Sequence, residues 1–264
     1  MNKNKYKPKD FKASTPEWKR KKETFIGKIM YRPMSYVISS VLANKGVKAN
    51  SVSYFSMLVS IVGCAMFVFD NHVCHIIGAL IFILWAILDC VDGDMARTIG
   101  KQPFGDFADA ISCYILQGLM CTTMGVAAYY SGGLLFEPSN YLIIFIGCMA
   151  STANCLMRLI YQKFLSAEKE LVEKGIIKKT EDVWKDKEQV SDFKVKFKET
   201  MGVGGIFPFI VLIAVIFNAI DIVLLYCLAL YGLAFLYTSY GYVKRAIVIA
   251  KQYEIEGLRQ LDND

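Results

Sequence analysis

The chain has 264 residues, of which 55% are hydrophobic and 20% are charged, and its formal net charge is +6. This apolar content is higher than that of an ordinary soluble domain, and it excludes a disordered chain, a collagen-like fibre and a small disulfide scaffold. Because the apolar and charged residues of such a chain must occupy separate segments, the composition favours a membrane protein with several spanning helices.

The first 48 residues are expected to lie outside the membrane core. Residues 1–24 are polar and rich in lysine, and they predict a basic cytoplasmic tail with no apolar segment of a cleavable signal peptide. Residues 25–48 carry apolar side chains at helical spacing, which predicts an interfacial amphipathic helix that Pro33 kinks or breaks. Asn50 or Ser51 is expected to cap the helix that follows.

Six apolar stretches approach the roughly 20 residues needed to cross a bilayer, and they predict an all-α bundle of six transmembrane helices. The stretches are residues 52–69, 74–88, 107–130, 141–161, 203–219 and 222–242. They define a membrane domain over residues 49–248, with a cytoplasmic helical insert at 166–200 and a cytoplasmic tail at 249–264. Within the insert, Glu170 and Lys174 have the i,i+4 spacing of a favourable ion pair.

The basic residues predict the orientation of this bundle. All 30 Lys and Arg lie before the first span, after the second, fourth or sixth span, or in the insert, and the three opposite loops carry none. The positive-inside rule then places both termini in the cytoplasm, which is a cell-membrane location if the chain is bacterial. The surplus of basic residues is thus assigned to topology and to membrane lipids, and it gives no signal for nucleic acid.

Histidine and cysteine offer little chemistry. The two histidines, His72 and His75, fall on the extracytoplasmic side, where they cannot serve a cytoplasmic site. The eight cysteines lie in or beside the spans without zinc-site spacing, which is typical of small packing residues.

The most informative stretch joins the second and third spans. It reads Asp89-x-x-Asp92-Gly93-x-x-Ala96-Arg97, followed by Gly105-x-x-x-Asp109. Helical geometry places Asp89, Asp92 and Ala96 on one face of the second span. It places Gly105, Asp109 and Cys113 on one face of the third, with Asp106 beside them, whereas Asp94 points away. Three or four carboxylates are therefore expected to meet at the cytoplasmic membrane boundary.

Carboxylates at this depth are costly unless they are paired. Clustered Asp side chains without His or Cys favour a hard cation such as Mg²⁺ or Mn²⁺, and two such ions can clamp a diphosphate. Gly93 and Gly105 leave room where a nucleotide or a facing helix comes close. The alternative is purely structural, with the carboxylates paired to Arg97, Lys101 and helix ends.

Residues 89–109 resemble the signature of the CDP-alcohol phosphotransferase superfamily, D-x2-D-G-x2-A-R-x8-G-x3-D-x3-D. Six spans, cytoplasmic termini and a preceding interfacial helix are also similar to that family, so the resemblance covers about residues 25–245. It implies transfer of a substituted phosphate from a CDP-linked donor to an alcohol acceptor, a lipid or a polymer, with release of CMP. Phospholipid or envelope-polymer synthesis is the expected setting, and a homodimer is an implied assembly.

The resemblance also implies roles for individual residues. Asp89, Asp92 and Asp109 would hold two Mg²⁺ or Mn²⁺ ions. The nucleotide pocket would be formed by Asp92, Gly93, Ala96, Arg97 and Gly105, with Arg97 near the phosphates.

The sequence departs from the signature at two places. Seven residues separate Arg97 from Gly105 where the family has eight, and Cys113 stands where the family has its fourth Asp, a metal ligand and proposed base. A neutral thiol is a poor ligand for Mg²⁺ and a poor base. Three interpretations remain open. Asp106 replaces the missing carboxylate as ligand and base beside Asp109, or three Asp suffice for an acceptor that needs less help, or the protein binds its nucleotide without turnover.

Arg158 is a further candidate for binding a substrate. It lies in an apolar stretch near the cytoplasmic end of the fourth span. A guanidinium facing the bundle would suit the phosphate of an acceptor or lipid, whereas an outward-facing side chain would extend to the interface.

Two other functions were weighed against the transferase. A catalytically inactive relative that binds a CDP-nucleotide or lipid is favoured by Cys113. A transporter is disfavoured because the acids cluster at one membrane face and no pair of broken helices is evident.

Overall fold

The protein is described by a computed structural model in which residues 5–177 and 205–261 are placed. The secondary structure of these residues is helical throughout, without a strand. The helices are α1 (Pro8–Ala13), α2 (Glu17–Lys22), a π-helical turn (Gly27–Tyr31), α3 (Arg32–Asn44), α4 (Ala49–Met66), α5 (His72–Ile99), α6 (Gly105–Ser131), α7 (Tyr141–Glu173), α8 (Phe207–Ile216) and α9 (Ile220–Leu261).

Helices α4, α5, α6, α7 and α9 are long and apolar enough to cross a membrane. The predicted all-α membrane fold is therefore confirmed. The fifth predicted span, residues 203–219, corresponds to the shorter apolar helix α8, and its first two residues lie outside the described part of the chain.

The packing of the bundle brings the two motif helices together through a third helix. Helix α4 packs along both α5 and α6, whereas α5 and α6 touch each other at few points. Helix α6 packs along α7, α7 along α9, and α8 against α5. We call the end of the bundle where α5 ends and α6 begins the site end, and the end where α4 passes to α5 and α6 passes to α7 the far end.

Helical structure covers most of residues 25–48, where the sequence predicts an amphipathic helix, and its interfacial position stays a prediction. The π-helical turn precedes Pro33, which stands in the first turn of α3, and α3 packs on α5 at the site end. Proline fits this position because the first turn of a helix does not use its backbone N–H groups.

The polar N-terminal segment is more ordered than the sequence pattern indicated. Helix α1 packs against α3 and α5, and its Phe11 is fully buried. Ser14 Oγ lies 2.8 Å from Thr98 Oγ1, which ties the end of α1 to the last turn of α5. Part of the predicted tail thus covers the site end of the bundle.

Two helices extend beyond their predicted spans. Helix α7 continues into the first residues of the predicted insert, where Lys174 Nζ and Glu170 Oε1 form the expected i,i+4 pair at 2.6 Å. The rest of the insert, from residue 178, lies outside the described residues. Helix α9 has 42 residues and continues without interruption into the predicted C-terminal tail.

Candidate functional site

An open cavity of about 300 Å³ lies at the site end, between α4, α5 and the start of α6. Seven residues predicted from the motif line it, namely Asp92, Gly93, Ala96, Arg97, Gly105, Asp106 and Asp109. Helix α4 contributes Asn50 and Ser53 to the opposite wall. The motif thus converges on one cavity because α5 ends and α6 begins at the same end of the bundle.

Three carboxylates interact electrostatically across this cavity. Asp92 and Asp89 are one turn apart on α5, and both interact with the charge of Asp109 on α6. Asp92 is buried, Asp89 is half-buried and Asp109 is exposed. Asp92 and Asp109 line the cavity, whereas Asp89 does not, so the predicted meeting of all three carboxylates stays a prediction.

Ser53 is the closest neutral partner of the acidic group. Its Oγ donates a 2.6 Å hydrogen bond to Asp92 Oδ2 from the facing helix α4. The bond fixes the rotamer of Asp92 and satisfies one lone pair of a buried carboxylate, which would otherwise be costly.

The donor chemistry of Asp89, Asp92 and Asp109 fits a hard divalent cation, because all three side chains supply carboxylate oxygens only. As the described residues stand, no three His, Cys, Asp or Glu side chains are close enough together to hold a metal ion. Joint ligation by the three carboxylates therefore requires their side chains to move toward one another.

The two motif glycines lie under polar side chains. A Cβ added to Gly93 would come within 3.2 Å of Arg97 Nη1, and one added to Gly105 within 3.3 Å of Asn50 Oδ1. Gly93 thus lets the Arg97 guanidinium lie flat on the α5 backbone.

Asn50 is not the cap of α4 that the sequence suggested. Its Nδ2 donates to Pro103 O at 2.9 Å and so holds the loop that leads into α6.

Asp106 lies at the rim of the cavity. Its side chain is 97% exposed, and Oδ1 is 3.6 Å from Lys101 Nζ. Asp106 also interacts electrostatically with Asp109, three residues further along α6. It stands in the first turn of α6, where the positive end of the helix dipole favours a carboxylate.

Cys113 belongs to a polar network between α6 and α7. Gln117 Nε2 donates to Cys113 Sγ at 2.8 Å, and Asn154 Nδ2 donates to Gln117 Oε1 at 3.1 Å. Arg158 donates to both amide oxygens, through Nη2 to Gln117 Oε1 and through Nε to Asn154 Oδ1. Its guanidinium also lies 5.1 Å from the centre of the Tyr114 ring. Arg158 therefore faces α6 and does not extend to the interface.

Sequence reasoning missed the serine residues that join helices α4, α5 and α6. Ser56 Oγ lies 2.8 Å from Ser112 Oγ, which also accepts a 3.0 Å hydrogen bond from Trp85 Nε1. The signal was present in α4, where Ser53, Ser56 and Ser60 recur at helical spacing within an apolar span. Such a stripe predicts a polar face turned toward a neighbouring helix.

Lys19 was also missed because it belongs to the predicted tail. It stands in α2 and is half-buried at the site end. Burial, together with the neighbouring charges of Arg97 and Arg32, lowers the pKa of Lys19 below its ordinary value of 10.5. A cation from outside the motif thus lies beside the motif arginine.

The chain matches the sequence profile of one protein family. A comparison with curated proteins finds no match. The profile, described as CDP-alcohol phosphatidyltransferase, matches residues 47–227, from the loop before α4 to the first turns of α9. This stretch exceeds half of the chain and contains the entire motif, Cys113 and Arg158. We conclude that this integral membrane protein belongs to the CDP-alcohol phosphatidyltransferase family.

Proposed function

We propose that the protein transfers a substituted phosphate from a CDP-linked donor to an alcohol acceptor and releases CMP. Family membership supports enzymatic transfer of a phosphate-containing group from a CDP-alcohol at a membrane, as in phospholipid synthesis. The observation that carries the proposal is the convergence of Asp92 and Asp109 at one cavity with the motif glycines and Arg97, with Asp89 in electrostatic interaction with both carboxylates. In this proposal the acceptor oxygen attacks the phosphorus, the bond from that phosphorus to the CMP oxygen breaks, and a base takes the hydroxyl proton.

Asp89, Asp92 and Asp109 are proposed to hold one or two Mg²⁺ or Mn²⁺ ions, with Asp106 as a further ligand at the rim. A divalent ion bound there would neutralise the diphosphate charge and stabilise the leaving phosphate. The donor set supports this assignment, because it consists of carboxylates and no histidine or cysteine among the described residues lines the cavity to direct it toward a softer metal.

The nucleotide is proposed to lie along α5 and the start of α6. Gly93, Ala96 and Gly105 form the part of the wall with the least side-chain bulk, and Arg97 offers a cationic group beside them. Arginine suits diphosphate oxygens because its planar group can donate two parallel hydrogen bonds.

The base is proposed to be Asp109, with Asp106 as its substitute or helper. Both carboxylates line the cavity, and both are accessible to solvent. The Cys113 thiol accepts a hydrogen bond from Gln117 and supplies no carboxylate at this level of α6. A base in this role contributes on the order of 10²–10⁴-fold, so its weakening slows turnover without abolishing it.

The acceptor is proposed to carry an anionic group that pairs with Arg158. Within the described residues, no carboxylate forms an ion pair with this guanidinium, which is held by two neutral amides and a tyrosine ring. A half-buried charge in a membrane protein is costly without a counter-ion. An anionic substrate, whether a phosphorylated alcohol or a lipid headgroup, would supply one.

Release of CMP by purified protein tests the proposed reaction. Detergent-solubilised protein with Mn²⁺, labelled CDP-alcohols and a membrane lipid extract should form CMP, and Asp109→Asn should lower the rate at least about 100-fold. Asp109→Asn should also abolish the Mn²⁺-dependent part of CDP binding, and unchanged binding would refute the metal assignment. Asp106→Asn with wild-type turnover would exclude Asp106 as the base.

A second candidate is a relative that binds a CDP-nucleotide or lipid without turnover. The observation that favours it is the engagement of Cys113 with Gln117 where the family has a carboxylate. CDP binding without CMP release from any donor would support this candidate over the transferase.

The orientation and the assembly remain proposals. The distribution of basic residues supports a site end that faces the cytoplasm, where CDP-linked donors would be available. Accessibility of cysteines introduced in the loops at the site end and at the far end to an impermeant thiol reagent would test the orientation. A homodimer stays a prediction.

A further inference from the structure

Asp94 lies inside the motif, yet it faces away from the other carboxylates. Its side chain is fully buried between α5 and α3. Oδ1 accepts from Arg32 Nη1 at 2.8 Å and from Arg97 Nη2 at 2.6 Å, and Oδ2 accepts from Ser35 Oγ at 2.6 Å. One carboxylate therefore joins the amphipathic helix to the motif arginine.

The charges around Asp94 form an alternating row. Glu23 Oε1 is 2.8 Å from Arg32 Nε, Arg32 pairs with Asp94, and Asp94 pairs with Arg97. Arg32 thus has two carboxylate partners, whereas Arg97 pairs with the Asp94 oxygen that Arg32 also binds. The positive end of the row is Arg97, which lines the cavity.

Arg97 is held in a defined orientation. Nη2 is bound to Asp94, Nη1 lies over Gly93, and Nε is buried with no hydrogen-bond partner among the residues that the structure describes. The side chain is 22% exposed. An arginine used only to neutralise Asp94 would not need to share an oxygen with Arg32 or to leave Nε without a partner.

We propose that Asp94 is a positioning residue that aims the Arg97 guanidinium at the diphosphate of the CDP-linked donor. Arg32 and Ser35 hold the carboxylate, and the carboxylate holds Arg97. This inference rests on the proposed function, because it requires a nucleotide diphosphate in the cavity. It adds a role for α3, which lies before the residues that match the family profile.

The physical basis is preorganisation. An arginine with a flexible side chain loses rotamer freedom when it binds an anion, and that loss lowers affinity. One short charge-assisted bond to a buried carboxylate, itself fixed by Arg32 and Ser35, restricts these rotamers before the ligand arrives. Removing the carboxylate charge should therefore weaken donor binding and leave the chemical step largely unchanged.

The test measures CDP binding in the presence of Mn²⁺ by calorimetry on full-length protein in detergent. We expect Asp94→Asn to raise the Kd for CDP about tenfold, and Arg97→Gln to raise it at least as much. Because Asp94 acts through Arg97, adding Asp94→Asn to Arg97→Gln should change the Kd less than twofold further. Steady-state turnover should show the donor KM rising with kcat within about twofold.

Asp221 provides a matched control. It is also a fully buried aspartate, but it lies at the far end and accepts hydrogen bonds from the backbone N–H groups of Leu135, Phe136 and Ile222. Asp221→Asn should lower the melting temperature and leave the Kd for CDP unchanged. A general loss of packing would shift the Kd in both variants.

A second variant covers the case in which Asp94→Asn does not fold. Glu23→Gln and Arg32→Gln combined with Asp94→Asn remove the three other charges of the row, so that none of the three is left unpaired, and Arg97 still lacks its partner. This triple variant should also bind CDP about tenfold more weakly than wild type.

Four outcomes separate the two proposals. A wild-type Kd for CDP in either Asp94 variant would overturn the positioning role. So would effects of Asp94→Asn and Arg97→Gln on the Kd that multiply in the double variant. Neither result would affect the proposed transferase function. Absence of CDP binding by wild-type protein would overturn both. Weakened binding in Asp94→Asn with no further loss in the Arg97→Gln background supports the proposal.

Discussion

The α6–α7 pair is built differently in its two halves. Toward the far end the helices meet through glycine, since a Cβ on Gly147 would overlap the backbone carbonyl of Cys121 and one on Gly125 would come within 3.1 Å of Ile143 O. Toward the site end they meet through Gln117, Asn154 and Arg158. One half is close backbone packing, and the other is a polar network around a guanidinium that no carboxylate of the described residues neutralises.

The difference separates stability from binding. Close backbone contact between small residues is how membrane helices gain packing energy, and it tolerates no added atoms. Amide and guanidinium side chains can exchange partners when a ligand arrives, so the site half can accept an anion without moving the helices. We therefore expect substitutions in the two halves to change different measured quantities.

The largest effect is expected in the far half. Gly147→Ala should destabilise the protein by about 1–3 kcal/mol, because the added methyl group meets rigid backbone. The melting temperature in detergent should fall by roughly 3–10 °C. Gly118→Ala is the control, since its Cβ would lie 3.1 Å from the sulfur of the Cys155 side chain, which can rotate away. Equal losses in the two variants would contradict the assignment of rigidity to the far half.

The next effect concerns the missing carboxylate. Cys113→Asp should raise the rate of CMP release about tenfold in the presence of Mn²⁺, because it adds a ligand and base one turn from Asp109. The measurement compares single-turnover rates at saturating donor. Cys155→Ser is the matched control. Cys121→Asp is avoided because the Cys121 thiol is fully buried. A rate equal to wild type would show that three carboxylates suffice.

A smaller effect is expected from the charge in the site half. Inorganic phosphate at millimolar concentration should raise the melting temperature of the wild type by about 2 °C over a chloride control of equal ionic strength. Arg158→Met should remove most of this protection and change the melting temperature without phosphate by less than about 2 °C. Arg245→Met is the control, because Arg245 already pairs with Glu168 at 2.7 Å. Full protection of Arg158→Met would disprove anion binding by Arg158.

The smallest effect concerns Lys19 and depends on pH. Burial and the charges of Arg97 and Arg32 lower its pKa, so the unfolded chain binds this proton more tightly and Lys19 contributes a penalty at neutral pH. The penalty disappears as the pH rises toward 10.5. Lys19→Gln should therefore raise the melting temperature by about 1 °C at pH 7 and by less at higher pH. Lys12→Gln, on the exposed face of α1, should do neither.

Periodicity and the motif were enough to predict the class of fold and the position of Asp92 and Asp109 at one cavity, whereas joint metal ligation with Asp89 stays a prediction. These features depend on spacing within one helix and on the short loop between α5 and α6. The predicted i,i+4 ion pair of Glu170 and Lys174 is observed, because it also depends on spacing within one helix.

The partners of the motif could not be predicted in this way. Arg32 and Asp94 are 62 residues apart, and Ser53 and Asp92 are 39 apart, so their contacts depend on how separate helices pack. The helical spacing showed that Asp94 points away from the site, but it could not show what Asp94 meets. The sequence pattern predicts Asn50 as a helix cap, because a cap is a local interaction. In the structure its side-chain amide instead binds a loop 53 residues away.

The contact of Asp94 with α3 has a consequence for protein engineering. An exchange of the family domain between relatives would naturally be cut at residue 47, where the matched region begins. Such a chimera would carry Asp94 and Arg97 but would replace Glu23, Arg32 and Ser35 with unrelated side chains, leaving a buried carboxylate short of donors. A portable unit that keeps the partners of Asp94 therefore includes residue 23, and swaps made from there should keep the proposed nucleotide affinity better than swaps made at residue 47.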